Sequence, residues 1–309
     1  MLVFIFNLAQ NTFFSCYNEN MKKDTIQKHT KIANDIIYYI YKYIDTNINL
    51  DELSQNLGIS KFHLHRIFKN EFGKNVYESI KSIRLQKAAS LLLTNKHSTI
   101  TQIAKMCGYS SQTAFSKVFK EKFAMTPKEW RNGAYESYVQ TILSDSASAS
   151  NSTAEFSSLK ADIVKMPQMI CYYIRHQGYD RSIKQSWQKL HTWTLCNDIS
   201  EFTQIGLHHD NPTIIPLSEC QYIACIVLEK ELKDASLPTL IIPKGVYAKF
   251  DFSGKYGDVL KFMNWVYFEW LLSSGYETTT NPSYAVYHKN HFLSDDEKFE
   301  LSYYIPIKL

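Results

Sequence analysis

The side chains of this chain best placed to do chemistry are cations spaced to meet a polyanion. From Lys61 to about Glu71, the residues Phe62, His65, Arg66 and Lys69 recur at i, i+3, i+4 and i+7. A helix would gather them on one face and leave Leu64, Ile67 and Phe68 to pack on the other. From Gln112 to about Phe123 the arrangement returns, with Thr113, Ser116, Lys117 and Lys120 outward and Phe115, Val118 and Phe119 inward. A planar guanidinium such as Arg66 can donate to both major-groove acceptors of guanine, and Lys117 offers a weaker version of that contact. Phe62 and the methyl of Thr113 suit a thymine methyl, and His65 and Ser116 complete the two base-reading sets. Lys69, Lys120 and Lys122 are expected along phosphates, where they position a protein without reading sequence. One such helix would be equally well explained as a solvated face of any bundle; its repetition is what argues for DNA.

Other reactive residue types do not form comparable patterns. His63 and His65 would lie about 200° apart on a helix, and the adjacent His208 and His209 cannot share one side of a strand, so neither pair reads as a metal site. Six cysteines, at 16, 107, 171, 196, 220 and 225, include no Cys-x-x-Cys pair. They read as inert thiols in a reducing compartment, with a Cys220/Cys225 redox pair as the alternative. No catalytic residue, cofactor or metal is expected.

The elements that must position the cationic faces follow from periodicity. Ile32, Ile36, Ile37, Ile40 and Ile44 mark the apolar side of an opening helix. A short helix then stops at Gly58, where a tight interhelical turn needs positive φ, and Ser60 can cap the next. After a longer helix over 76–93, the set returns as Ile103, Gly108, Ser110, Phe115 and Phe119-Lys120. The offset from the first copy is 50 residues in the leading helix and 51 in the recognition helix. This is an internal duplication of a helix-turn-helix. The connecting helix would span roughly 27 Å at about 1.5 Å per residue, suited to recognition helices about one duplex turn apart.

Charge divides along the same line. Residues 21–140 hold 19 Lys/Arg against 10 Asp/Glu, whereas residues 141–309 hold 15 against 19. A basic half joined to a mildly acidic one suggests a polyanion-binding domain attached to something with another task. The boundaries expected are an extension upstream of a more natural start at residues 1–20, a DNA-binding domain at 21–140, a Ser/Ala-rich linker at 141–158 and a second domain at 159–309. With no run of about 20 apolar residues and no secretion signal, the chain reads as cytoplasmic, without a membrane partner.

Residues 30–131 resemble the AraC/XylS family of bacterial regulators. The resemblance is carried by Leu53-x4-Gly58-Ile-Ser60, Leu64-x-Arg66-x-Phe68-Lys69, Ile83-Arg84-Leu85-x2-Ala88-x2-Leu91-Leu92, Ile100-x2-Ile103-Ala104-x3-Gly108-Tyr109, Phe115-x3-Phe119-Lys120 and Thr126-Pro127-x2-Trp130-Arg131. It implies binding to promoter sites on double-stranded DNA and recruitment or positioning of RNA polymerase. Ser54 and Ala124 depart from the family, standing where Ala and Gly are usual.

Beyond the linker the pattern becomes strand-helix-strand-strand, twice: 169–176, helix 181–196, 202–208 and 222–228, then 246–252, helix 259–272, 284–288 and 299–307. The fold class expected is therefore multi-domain, an all-α double helix-turn-helix domain followed by an α+β domain of two similar halves. Two halves facing one another make a natural cleft, and the aromatic-rich helix Val259–Trp270 suggests an organic ligand, although aromatics at helical spacing usually form core. This segment is similar to the GyrI-like effector-binding domain, on Tyr173-x-Arg-His-x-Gly178, Ile205-Gly-Leu-x2-Asp210-Asn-Pro212, Cys220-x-Tyr222-x-Ala224, Ile242-Pro-x-Gly245-x-Tyr247-Ala248, Gly254-x-Tyr256, Glu269-Trp-Leu-x-Ser273-x-Gly275-Tyr276, and Pro282 followed by Tyr287. The resemblance implies a small organic effector in a pocket that includes Tyr173, Trp265, Glu269, Ala285 and Tyr287. Ala285 stands where that family carries an acid used for cations, and for hydrolysis in some relatives, so a neutral effector is as well accommodated. The alternatives are an adaptor binding another protein such as a topoisomerase, and a hydrolase fused to a DNA-binding module.

Overall fold

The computed structural model describes residue 25 and residues 27–146, 153–232 and 236–309. The extension at 1–20 and residues 147–152 of the linker lie outside the described residues. The chain separates into two compact units: the described part of Met1–Tyr43 with Ile48–Ile80, and Ile44–Asn47 with Lys81–Leu309.

In the first unit, α1 (27–42) buries Ile32, Ala33, Ile36, Ile37 and Ile40. Next come α2 (Leu50–Asn56) and α3 (Lys61–Phe72), with Leu53, Leu64, Ile67 and Phe68 in the same core. The Asn49 side chain accepts from the Asp51 and Glu52 amides, and Ser60 accepts from the His63 amide, so both helices begin with their free N–H groups satisfied. Helix α4 (Val76–Thr94) begins in this unit and continues in the other.

The second unit carries the second helix-turn-helix, α5 (Ile100–Met106) and α6 (Gln112–Phe123), together with everything that follows. Thr99 and Gln102 form a capping box on α5. The cap of α6 is Ser111, whose hydroxyl accepts from the Ala114 amide. The extra residue of the second copy therefore sits in the turn, between Gly108 and Ser111. Gly108 has φ of 75°, and a Cβ there would lie 2.5 Å from the Ile44 carbonyl oxygen. The Arg84 guanidinium donates to that carbonyl and to the Thr46 carbonyl. After α7 (Pro127–Glu129) the helical path kinks at Gly133 and resumes as α8 (Tyr135–Ser146). Trp130 anchors the bundle, packing on Phe119 and Phe123 and donating from Nε1 to the Ala89 carbonyl.

The remaining strands are β1 (Asp162–Met166), β2 (Met169–Gln177), β3 (Thr203–His208), β4 (Gln221–Val227), β5 (Thr239–Ile242), β6 (Gly245–Lys255), β7 (Glu277–Thr278), β8 (Ser283–Lys289) and β9 (Lys298–Lys308). They pair antiparallel in the order β1-β6-β9-β8-β3-β4-β2-β5, with β7 against β9. Helix α9 (Ile183–Cys196) belongs to the first half, and α10 (Asp258–Trp265), continued through a π-turn into α11 (Leu271–Ser274), to the second. The central order β6-β9-β8-β3-β4-β2 is symmetric about the β8–β3 pair, so the expected strand-helix-strand-strand halves meet edge to edge. The Ser-rich stretch is structured at both ends: α8 runs to Ser146, and Phe156 is buried against Phe252, Phe262 and Trp265.

The second helix-turn-helix and the sheet domain share one compact unit because buried polar groups tie them. Asn95, after α4, donates from its side chain to the Thr278 carbonyl and accepts from the Thr278 amide, both at 2.9 Å. The Glu277 carboxylate accepts from the amides of His97 and Ser98 at 2.8 and 2.7 Å and from the Ser98 hydroxyl. Lys308 pairs with it at 3.2 Å. These groups immediately precede the Thr99 cap of α5.

Candidate DNA-reading faces and effector cleft

On α3, burial of Leu64, Ile67 and Phe68 leaves Phe62, Arg66 and Lys69 exposed, Phe62 by 78%. His65 is half-buried, its ring 5.5 Å from that of Tyr77. Arg66 reaches back to within 3.5 Å of His63 Nε2. On α6, Phe115, Phe119 and Phe123 are buried, Thr113, Lys117, Lys120 and Lys122 are exposed, and Ser116 and Val118 are half-buried. Each helix thus presents a cationic, hydrogen-bonding surface backed by an apolar one.

The sheet domain forms a cleft on the side of the sheet that carries α9 and α10. Register explains why there is room. Across the sheet, Ile174, Ala224, Gly206, Ala285, Tyr303 and Phe250 stand in one row, so the three residues at its centre are small. Tyr222 and Tyr287 lean over that floor, their hydroxyls 3.4 Å apart, and Trp187 Nε1 donates to the Tyr222 hydroxyl at 3.1 Å. A Cβ at Gly206 would lie 2.4 Å from the Tyr222 oxygen and 2.9 Å from the Tyr287 ring, so only glycine admits both tyrosines. The cleft is open to solvent and lies between Tyr179 and Ile183 on one side and Tyr256, Val259 and Leu260 on the other. Phe292, His208 and His291 complete its polarity and shape.

Both histidines are neutral at physiological pH. Burial drives the His208 ring down to about 3 and is the largest cause of the fall of His291 to about 4. Burial also raises the Tyr222 hydroxyl well above its ordinary value and Tyr287 to about 12, so both remain protonated. Among the described residues lining the cleft there is no carboxylate. The arrangement can sandwich a flat ring system and offer hydrogen bonds from neutral groups, and it contains no evident nucleophile–base pair.

Of the effector residues expected from sequence, Tyr287 lines the cleft and Ala285 lies fully buried in its floor, opposite Gly206. Tyr173 is on the opposite face of the sheet, since its neighbour Tyr172 is the one that stacks on Trp193 of α9. Trp265 packs on Phe156, Phe250 and Phe262, and Glu269 is exposed. Sequence reasoning missed Tyr179, His208, Tyr256 and His291 as wall residues. A signal was available: Gly178-Tyr179 and Tyr256-Gly257 occupy matching strand-to-helix turns of the two halves. A second, polar pocket lies between α4 and the sheet domain, lined by Lys87, Ser90, His209, Asp210, Asn211 and Thr278 among others; His208 borders both cavities. Lys87 donates to the His209 carbonyl there.

A double helix-turn-helix joined to a two-fold sheet domain with an aromatic cleft defines the class, a DNA-binding module with a small-molecule-binding one. Residues 53–133 match a helix-turn-helix domain family, and residues 160–308 match the GyrI-like small molecule binding domain. Regulatory protein SoxS of Escherichia coli is 36% identical over 104 residues, 34% of this chain and 96% of its own. The probable transcription factor PqrA of Proteus vulgaris is 37% identical over 102 residues, 32% of this chain and 83% of its own. The xylose operon regulatory protein of E. coli is 38% identical over 96 residues, 31% of this chain, and the chain spans only 24% of that relative's length. This chain belongs to the AraC/XylS family and carries a GyrI-like domain after its helix-turn-helix region. Among the described residues, no helix is long and apolar enough to cross a membrane.

Proposed function

We propose that this protein is a sequence-specific transcription regulator whose DNA binding is governed by a small organic molecule held in the aromatic cleft. Phe62, His65 and Arg66 in the first unit, and Thr113, Ser116 and Lys117 in the second, read base edges. Lys69, Lys120 and Lys122 hold phosphates. The protein works in the cytoplasm on promoter DNA, positions RNA polymerase there and performs no chemistry on its effector.

The observation that carries this reading is the tie between the sheet domain and the entry to α5: Asn95 with Thr278, and His97 and Ser98 with Glu277. A ligand that shifts the sheet domain has a direct mechanical path to the second reading helix through these hydrogen bonds. Sharing of His208 between the cleft and the pocket beside α4 supports the same route.

The test has two arms. Selection of bound sites from genomic DNA should return a defined asymmetric sequence. Filling the cleft by Val259→Trp, measured by fluorescence anisotropy on that site, should change specific affinity several-fold while leaving non-specific binding alone. Absence of any selected sequence, or a cleft-filled variant that binds as the wild type does, would defeat the proposal.

A further inference from the structure

We infer that the effector carries a carbonyl-type oxygen at the edge of a flat ring system, received in the cleft by the hydroxyls of Tyr222 and Tyr287 together. This rests on the reading of the cleft as the effector site and names the class of ligand it takes. Strand order brings the pair together. Strand β3 runs between β4 and β8, and the two tyrosines rise from those flanking strands, each two residues from the floor residue Ala224 or Ala285 and so on the same face. They converge over Gly206 of β3, whose missing side chain leaves the space, and their oxygens stand 3.4 Å apart.

The polarity of the site follows from its protons. Trp187, buried on α9, can only donate, and its Nε1 gives its hydrogen to the Tyr222 oxygen at 3.1 Å. Tyr222 and Tyr287 each add one O–H. Three donors thus share two oxygens, and among the described residues neither oxygen has a further partner. The contact between the hydroxyls uses one of their two protons, in whichever direction it runs, so the other is always left to be met. That contact is also longer than a good O–H···O bond, which makes both protons easy to redirect. An acceptor oxygen seated on the pair takes both, in place of one long bond between them. Burial keeps Tyr222 well above its ordinary value and Tyr287 at about 12, so the hydroxyls meet a ligand as donors.

The other polar groups of the cleft do not duplicate this pair. Tyr179 has its hydroxyl turned to the Asp210 and Gln221 carbonyls, both at 3.3 Å. His208 and His291 are neutral rings that serve as donor or acceptor according to tautomer, so they adapt to a ligand. The tyrosine pair has no such freedom, because the indole hydrogen already fills the acceptor side of Tyr222. Trp187 also meets the Tyr287 ring edge-on at 5.7 Å, which fixes the second hydroxyl relative to the first. Net charge is an independent property of the ligand. Asp258, between the lining residues Gly257 and Val259, keeps Oδ1 buried without a partner, so a ring system that is cationic elsewhere can still present its carbonyl to the pair.

Fluorenone and fluorene are uncharged, flat and alike except for the carbonyl, and equilibrium dialysis measures the binding of both. The wild type should bind fluorenone about tenfold more tightly, although fluorene is the more hydrophobic of the two. Tyr222→Phe and Tyr287→Phe should each narrow that ratio, and the double variant should abolish it while keeping its affinity for fluorene within about twofold. Infrared difference spectra of fluorenone isotope-labelled at the carbonyl add a readout that packing alone does not move. Hydrogen bonding lowers the carbonyl stretching frequency, so the band should be lowered in the wild type and recover in the double variant. The wild-type ratio and band decide the question even where a variant fails to fold. An equal or reversed ratio in the wild type, a carbonyl band as in an inert solvent, or folded variants that keep the full ratio overturns the inference while leaving the cleft as a binding site. Failure of both probes to bind the wild type overturns the effector reading itself, and this inference with it.

Discussion

The two helix-turn-helix units are built from the same parts and set in different surroundings. In the first, Asn49 and Ser60 cap the helices, Gly73 ends α3 with φ of 70°, and the packing face is Leu64, Ile67 and Phe68. In the second, a Thr99–Gln102 box and Ser111 do the capping, Ala124 ends α6 with φ of 60°, and the packing face is built on Phe115, Phe119 and Phe123. The first unit closes its core with α1. The second completes its core with Trp130 and is bonded through Asn95, His97 and Ser98 to strand β7. Local rules set the reading helix in both copies, and the second copy is in addition hydrogen-bonded to the sheet domain within its own unit. On the proposed function, that bonding is the route by which an effector would alter contact with DNA.

The largest test of that contrast is Glu277→Ala. The amides of His97 and Ser98 and the Ser98 hydroxyl lose their acceptor and Lys308 its ion-pair partner, for a cost of about 3 kcal/mol. Thermal melting should show the loss, and hydrogen exchange should quicken in α5 and α6 while α2 and α3 stay as in the wild type. Equal quickening in both units would erase the distinction.

The same carboxylate makes the tie pH-sensitive. Burial pushes the Glu277 carboxyl up, but the Ser98 hydroxyl and amide and the Lys308 ammonium outweigh it and hold the group below its ordinary value of 4.5. A depressed folded value means the stabilisation is present above the unfolded value and is lost as pH falls through the folded one. Melting of the second unit should therefore weaken below about pH 4.5, and Glu277→Gln should flatten that dependence.

Next in size is base reading. Arg66→Ala should cost about 1–3 kcal/mol on the preferred site and relax specificity at one or two base pairs. Competition binding against single-base variants measures it, and uniform weakening on every sequence would instead make Arg66 a phosphate contact.

The helix ends sharpen the comparison further. A left-handed alanine costs about 1 kcal/mol relative to glycine, so Ala124→Gly should stabilise the second unit by roughly that amount, and Gly73→Ala should destabilise the first similarly. Opposite signs in paired melting curves are the expected outcome. Smallest is Lys120→Ala, which should lower the slope of log affinity against log salt by about one contact and leave the sequence preference intact.

Much of this architecture was legible because local chemistry encodes it. The duplication is visible in Gly58 and Gly108, in Ser60 and in the Phe-Lys endings, since caps and left-handed turns tolerate few residue types. The inner strands were legible as apolar runs, whereas β1, β5 and β7 were not: they are short and lie at the sheet's margins, and β7, two residues long, exists through its pairing with β9. The parity of β2 was also hidden. Tyr172 and Tyr173 are both buried, because both faces of the sheet are covered, and alternation then no longer tells which tyrosine meets the helices.

What the sequence by itself determined is therefore the short-range inventory: helix starts and stops, the outward faces at i, i+3, i+4 and i+7 with cations at i+4 and i+7, and the repeated strand-helix-strand-strand order. Spacings of one to four residues carry that information, and side-chain periodicity reads them directly. Tertiary structure alone decided that α5 belongs with β7, that Ala224, Gly206 and Ala285 meet to open a cleft, and that Arg181 finds Glu297 beside Tyr256. Those partners lie tens to more than a hundred residues apart, and only the strand order and register, set by burial of the whole sheet, bring them within hydrogen-bonding distance.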